Sequence, residues 1–212
     1  RIGNPHTDYN AYLSPMLVPG VMFLFIFIFT AYSIGCELKY ERSHEWLKMA
    51  GGNIWVALMG KMLPQMLLSM LMMSAYLIYI YGVMGFPHEG SWMVIFLLGF
   101  LSVLAAEGFG IFMFSLLPSM RMSMSLCSLW AVLSFSMVGT AFPVMAMDPA
   151  LETLAWLFPL RHYFVIYQTS IFSGYSLTYC WVNIVCLIAF ALLPLPLMGR
   201  LKKAMMTFKY MD

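Results

Sequence analysis

The sequence predicts an all-α membrane protein, and three observations carry that prediction. Of the 212 residues, 62% are hydrophobic and only 9% are charged, whereas about a quarter of the residues in a soluble domain are charged. The mean hydropathy is +0.84. Several uncharged runs approach the roughly 20 residues that a helix needs to cross a hydrocarbon core of about 30 Å. We therefore expect one membrane domain whose main solvent is lipid.

Five spans are predicted from these runs and from the breaks between them. The first two are uncharged, and each has a proline near its start (Pro19 and Pro64), where a missing amide donor costs little. The third contains one charge, Glu107. We place the spans at about 16–35, 62–82, 91–117, 122–142 and 177–199.

The distribution of Lys and Arg predicts the orientation of these spans, because cytoplasmic loops carry an excess of both. If the loop 36–61 is cytoplasmic, only Arg1 and Arg161 of the 11 basic residues lie outside. This arrangement also places the C-terminus in the cytoplasm and the stretch 143–176 on the outer side.

The outer stretch 143–176 is apolar, but charged residues interrupt it, and a sixth crossing would move the basic tail outside. We predict a re-entrant or interfacial helix pair instead. Asp148 before Pro149 is typical of a helix start, Pro159 breaks the first helix, and Gly174 ends the second. The aromatic residues Tyr163, Phe164, Tyr167 and Phe172 suit a belt at the level of the lipid headgroups.

The loop 36–61 holds seven of the chain's 20 charged residues. Good helix formers without Pro or Gly predict one helix from Glu37 to Met49, stopped by two glycines. Residues 53–59 predict a second short helical piece before the next span. This helical elbow lies at the cytoplasmic surface of the predicted topology.

The predicted membrane topology does not explain three acidic residues in this elbow. Glu37, Glu41 and Glu45 recur every fourth residue, which places them on one face of the predicted helix, where they repel one another. The positive-inside rule requires Lys and Arg but no acids. One interpretation is a solvated loop whose charges only follow the topology. The alternative is that the acids contact a basic or polar surface of a partner protein, which would explain their presence.

Three segments together resemble one family. "ELKYERSHEWLKMAGGNIWVALMGKMLP" (37–64) looks like the cytoplasmic elbow of type-2 ABC exporter permeases. "GTAFPVMAMDPALETLAWLFPLRHYFVIYQTSIFSG" (139–174) is similar to the outer segment of that family, and "LVPG" (17–20) fits the opening of its second span. The sequence departs from the family at 42–45, where many members have Gly-Thr after the acidic residue.

This resemblance implies a fold and a set of site residues. The full subunit would have six spans, with the first span and an external domain before Arg1. Two such subunits would surround a translocation path. The coupling helix that receives the ATPase would contain Glu37, Glu41, Arg42, Glu45 and Trp46, and the external gate helices would contain Phe142, Pro143, Pro159, Leu160, Arg161 and Tyr163.

The function implied by the resemblance is that of a permease subunit of an ABC exporter in the bacterial inner membrane. It would move a hydrophobic or amphipathic substrate out of the cytoplasm or inner leaflet, and it would not itself be an enzyme. No cofactor is expected in this chain, since ATP and Mg would bind to a separate ATPase subunit. The other expected partners are membrane lipid and a second permease subunit, identical or paralogous, and a periplasmic adaptor stays open. The small net charge of +2 gives no support for nucleic acid.

Glu107 supports an alternative function, an ion-coupled carrier that uses this acid as a proton site. An acid within a span is costly unless it faces protein or water, which makes it a functional candidate. Equally, it could be a structural acid beside Gly108 and Gly110, where helices can approach closely. A membrane scaffold without transport activity is a third possibility.

Other chemical motifs are absent from the sequence. Gly60-Lys61 resembles a phosphate-binding loop only superficially, because Trp55 and Met62 stand where that motif needs Gly and Ser or Thr. The four cysteines include no CxxC pair, so we interpret them as small packing residues. The four histidines, at 6, 44, 88 and 162, are predicted at surfaces or interfaces.

Overall fold

The computed structural model describes residues 9–139 and 148–207, and this part of the chain contains helices and no strand. Short π or 3-10 turns at Tyr79–Val83, Tyr167–Phe172, Leu177–Cys180 and Leu195–Leu197 extend or join the α-helices. The α-helices are α1 (Tyr9–Lys39), α2 (Ser43–Met49), α3 (Ile54–Ile78), α4 (Trp92–Leu116), α5 (Met120–Met137), α6 (Pro149–Ala155), α7 (Pro159–Ile166), α8 (Trp181–Leu192) and α9 (Met198–Thr207).

Four helical segments in the described part are long and apolar enough to cross a membrane, so the chain is a multi-pass membrane protein. They are Leu13–Lys39, Ile54–Val83, Trp92–Leu116 and Leu177–Thr207. They correspond to the predicted spans 16–35, 62–82, 91–117 and 177–199. The helix α5, which falls on the predicted span 122–142, is not among these four, and its crossing of the membrane stays a prediction.

The first two spans are longer than predicted, and their ends explain why. Helix α1 continues past Gly35 to Lys39. Helix α3 starts at Ile54, where the Asn53 side chain accepts a hydrogen bond of 3.0 Å from the Trp55 amide. The short helical piece predicted at 53–59 is helical from Ile54, but it is not distinct from the next span, because these residues form the first turns of α3.

Helix α4 lies at the centre of the helix packing, in contact with α1, α3, α5, α7 and α8. In its most apolar window 61% of the residues are buried, against 17% in the last span. Two glycines allow this close packing. A Cβ added to Gly108 would lie 2.6 Å from the Cα of Ala191 on α8, and one on Gly110 would lie 2.8 Å from Thr30 on α1.

The outer segment contains two short helices where the sequence predicts them. The Asp148 side chain accepts a hydrogen bond of 2.9 Å from the Ala150 amide at the start of α6. Helix α7 begins with Pro159 and continues into a π turn, and Gly174 follows with a φ of 71°. Residues 140–147 lie outside the described part, and re-entry of this segment into the membrane stays a prediction.

The aromatic residues of the outer segment do not form the predicted lipid-facing belt. Tyr163, Phe164 and Tyr167 are buried in the protein, and Phe172 is half-buried. Tyr163 lies against Phe23 of α1, with ring centroids 6.2 Å apart. Packing of α7 against α1, α4, α5 and α8 covers these rings. Sequence composition could not distinguish a belt from this buried layer, because both are rich in aromatic residues.

Candidate functional site

The elbow between α1 and α3 begins with a sharp turn at Glu41. Glu41 has a φ of 56°, in the left-handed region that usually favours glycine. Its amide donates to the Leu38 carbonyl at 3.3 Å, and the Arg42 amide donates to the Glu37 carbonyl at 2.9 Å. These two bonds are those of a Schellman motif, which ends α1. A glutamate therefore occupies the position where most helices of this type have glycine.

This turn corrects the predicted single helix from Glu37 to Met49. Glu37 belongs to the last turn of α1, Glu41 to the turn, and Glu45 to α2. The three acids consequently do not share one helix face. Spacing alone predicted a shared face because it assumed unbroken helical backbone, and a left-handed glutamate has no reliable sequence signal.

Helix α2 is held against the membrane domain through its apolar side. Ser43, Trp46 and Leu47 are buried, and α2 contacts α1, α3 and α9. A second Schellman motif ends the helix. The Gly51 amide donates to the Lys48 carbonyl at 3.1 Å, and the Gly52 amide donates to the Leu47 carbonyl at 2.7 Å.

An ion pair connects the two spans at this elbow. Lys61 of α3 forms a salt bridge with Glu37 of α1, and the two side chains are each 20% exposed. The same ammonium group lies 5.6 Å from the ring centroid of Trp46, within the range of a cation–π interaction. Three helices, α1, α2 and α3, therefore meet at one lysine.

The exposed surface of the elbow contains both charged and apolar residues. Glu41, Arg42 and Glu45 are exposed, and Met49 is 82% exposed. A shallow pocket of about 380 Å³ lies between α2 and the start of α3, lined by residues that include Trp46, Met49 and Val56. Glu37 and Lys61 also line this pocket, so the elbow presents exposed charges around a depression of mixed polar and apolar character.

The predicted gate residues that the structure describes lie in or next to the buried layer of α7. The Tyr163 hydroxyl donates to the Pro15 carbonyl of α1 at 3.0 Å. Arg161 is 9% exposed, and its guanidinium lies 5.8 Å from the ring centroid of Trp156. Pro159 is the buried first residue of α7. Phe142 and Pro143 fall outside the described residues, so the arrangement of the complete predicted gate is not described.

His162 is a buried polar residue, contrary to its predicted surface position. Its exposed fraction is 0%. Its Nε2 donates to the Trp156 carbonyl at 2.9 Å, and its Nδ1 lies 2.9 Å from the side-chain amide oxygen of Asn183 on α8. Burial lowers the pKa of His162 below its ordinary value, and these two hydrogen bonds oppose the shift. His162 thereby joins α6, α7 and α8, a role that only the packing of the outer helices reveals.

Glu107 lies in the interior of α4 and is 5% exposed. Its Oε1 atom has no hydrogen-bond partner among the described residues. The close contacts of Gly108 with α8 and of Gly110 with α1 flank it. In the described part of the chain, no group of three or more His, Cys, Asp or Glu residues could hold a metal ion.

A half-open apolar groove of about 780 Å³ lies between α1 and α3. Phe25, Phe29 and Leu68 are among its walls, and Lys61 closes one end. Gln65 donates a hydrogen bond of 2.7 Å to Thr30 within the helix pair. The sequence did not predict this groove, because it depends on how far apart the two helices lie.

Comparison with known proteins gives a consistent result. The profile of a family described as ABC-2 family transporter protein matches residues 2–199. Two curated relatives, each named "Probable multidrug ABC transporter permease YbhR" and coming from Escherichia coli strain K12 and Escherichia coli O157:H7, are 22% identical over 180 residues. Each alignment covers 84% of this chain and 48% of the relative, so the chain spans about half the length of these relatives. No solved structure matches the chain.

Proposed function

Because the chain belongs to the ABC-2 family of transporter proteins, we propose that it is the permease portion of an exporter driven by a separate ATPase subunit. The substrate class is a hydrophobic or amphipathic molecule, moved out of the cytoplasm or inner leaflet. The similarity to relatives named as probable multidrug ABC transporter permeases supports this class. ATP and Mg bind to the partner ATPase, and a second permease subunit completes the translocation path in the bacterial inner membrane.

The observation that carries this proposal is the elbow. A short helix, α2, stands between two spans and is tied to both of them through Trp46 and the Glu37–Lys61 pair. A movement imposed on the exposed side of α2 would therefore be transmitted to α1 and α3 together, because the three helices would move as one packed unit and not as a flexible loop. Its exposed charges and its shallow depression supply the contact surface for the ATPase.

The outer segment has a complementary role in the proposed cycle. Arg161 and Tyr163 lie on α7, which contacts α1 and α4. A displacement of α1 relative to α4 would then shift α7 through the Tyr163 hydrogen bond to Pro15. We place the outer gate on this helix, with Pro159 at its start.

Reversing two exposed charges at the elbow tests the proposed coupling. Glu41→Lys combined with Glu45→Lys is expected to lower association with the ATPase and ATP-dependent efflux by at least about tenfold, since removing one partner of a charge pair that docking buries costs about 2–5 kcal/mol. The measurement is co-purification of the full-length permease with its ATPase, together with efflux from proteoliposomes. Glu89→Lys, an exposed acid in the connection between α3 and α4, is the matched control. Unchanged association and efflux in the double variant would contradict the coupling role.

The buried Glu107 favours one alternative function, the ion-coupled carrier, and a single substitution separates the two. Glu107→Gln keeps the shape of the side chain but removes its proton chemistry. If the exporter proposal is right, efflux by this variant stays close to that of the wild type and still requires ATP. Transport is measured in proteoliposomes with ATP present or depleted, at a clamped proton gradient. Transport that is abolished by Glu107→Gln, and that in the wild type ignores ATP depletion, would support the carrier.

A further inference from the structure

An exposed apolar stripe runs along α8 to the 3-10 turn that precedes α9. The exposed apolar residues Trp181, Val185, Ile188, Leu192 and Leu195 follow one another at steps of four and three. This spacing places them on one side of the helix. Because little of this span is buried in the protein, the stripe is its lipid-facing side.

Exposed basic residues follow this stripe on α9. Within the span Leu177–Thr207, a turn at 193–194 and the 3-10 turn Leu195–Leu197 join α8 to α9. On α9, Gly199, Lys202 and Met206 are exposed. Lys202 therefore lies on the exposed side of α9, away from the buried Leu201, Ala204 and Met205. Lys203, also exposed, lies beside it.

The length of the stripe places these lysines at a membrane surface. At a rise of about 1.5 Å per residue, Trp181 and Lys202 lie roughly 30 Å apart along the helix, which is the thickness of a hydrocarbon core. Tryptophan is enriched at both membrane–water interfaces. With Trp181 at the outer interface, Lys202 is at the level of the cytoplasmic headgroups.

The opposite side of α9 is attached to the protein. Leu201, Ala204 and Met205 are buried, and α9 contacts α2, α3 and α4. The Arg200 guanidinium donates a hydrogen bond of 3.1 Å to the Leu116 carbonyl at the end of α4. The apolar side of α9 thus packs on protein, and its two lysines are left to face outward.

We propose that Lys202 and Lys203 form a binding site for anionic phospholipid headgroups of the cytoplasmic leaflet. Basic residues at the end of a span are attracted to such lipids, and here both lysines are exposed on α9 at the end of the last span. The site goes beyond the proposed transport function and does not require it. Because α9 packs on α2, a lipid bound at these lysines also supports the elbow.

The test compares two lipids in the full-length protein, reconstituted without the ATPase in phosphatidylcholine vesicles. Spin-labelled phosphatidylglycerol and spin-labelled phosphatidylcholine report the preference of the protein surface for the anionic headgroup. In Lys202→Gln/Lys203→Gln this preference is expected to fall by about fivefold for each lysine. In the wild type, 1 M salt, which shortens the Debye length to about 3 Å, is expected to remove most of it.

Two further variants make the result decisive. Lys202→Arg/Lys203→Arg keeps both charges and is expected to keep the preference. Lys48→Gln, which removes an exposed lysine from α2, is expected to leave it unchanged. A glutamine double variant that retains the full preference for phosphatidylglycerol overturns the proposal.

Discussion

Gly108→Val is expected to prevent the helical domain from assembling. A Cβ at this position would lie 2.6 Å from the Cα and 2.6 Å from the carbonyl oxygen of Ala191. These are backbone atoms of α8, so no rotamer change relieves the overlap. Overpacking that side chains can partly absorb already costs about 1–3 kcal/mol, and separating two helices also forfeits the packing around the contact. We therefore expect the free energy of unfolding to fall by more than that range.

Size-exclusion chromatography in mild detergent and the thermal midpoint of the full-length protein measure this effect. Gly60→Ala is the matched control, because a Cβ at Gly60 meets nothing within 4 Å and alanine favours a helix over glycine by about 1 kcal/mol. The control is expected to be as stable as the wild type or slightly more so. A folded, monodisperse Gly108→Val protein would contradict the close approach of α4 and α8.

Lys61→Glu is expected to uncouple the elbow and to lower the stability of the domain. It would replace the salt bridge with Glu37 by two facing carboxylates and remove the cation over Trp46. The side chains of Glu37 and Lys61 are both mostly buried. The decrease in the free energy of unfolding should therefore exceed that for a surface ion pair, which is at most about 1 kcal/mol. Losing a charge-assisted hydrogen bond alone costs about 1.5–3 kcal/mol.

The exchanged pair Glu37→Lys/Lys61→Glu separates pairing from mere substitution. It restores an ion pair in reversed order, so we expect it to recover most of the stability lost by Lys61→Glu. The thermal midpoint and ATP-dependent efflux of both variants and of Glu37→Lys complete a double-mutant cycle. Additive losses in the exchanged variant would show that the two charges act independently, and the elbow would then need another explanation for its rigidity.

Local backbone signals were the most informative part of the sequence. The start of α6 follows from Asp148 before Pro149, and the end of α2 from Gly51 with Gly52, because each signal acts within a single turn. The turn at Glu41 had no such signal, and the predicted elbow helix was wrong for that reason. A residue with a Cβ enters the left-handed region only at a cost, and the two hydrogen bonds that close this turn run between backbone atoms, so the type of side chain at 41 does not announce them.

Burial was harder to predict than helix position. Tyr163 and His162 suit an interface by type, yet both lie inside the protein, where Pro15 and Asn183 supply their hydrogen-bond partners. Glu107 was recognised as an acid within a span, but its enclosure between the Gly108 and Gly110 contacts is a property of three helices at once. Single-helix patterns carry no information about which neighbour covers which face.

By itself, the sequence determined that this is a helical, multi-pass membrane protein of the ABC-2 transporter family, because apolar length and ordered motifs are properties of contiguous residues. Only the tertiary structure decided that Glu37, Trp46 and Lys61 meet, that α4 lies at the centre, and that Lys202 lies on the exposed side of α9. Each of these depends on how separate helices pack and turn in three dimensions. In an apolar chain such as this one, nearly every helix face is apolar enough to be buried. Composition therefore does not determine which faces are buried, and the packing of the helices does.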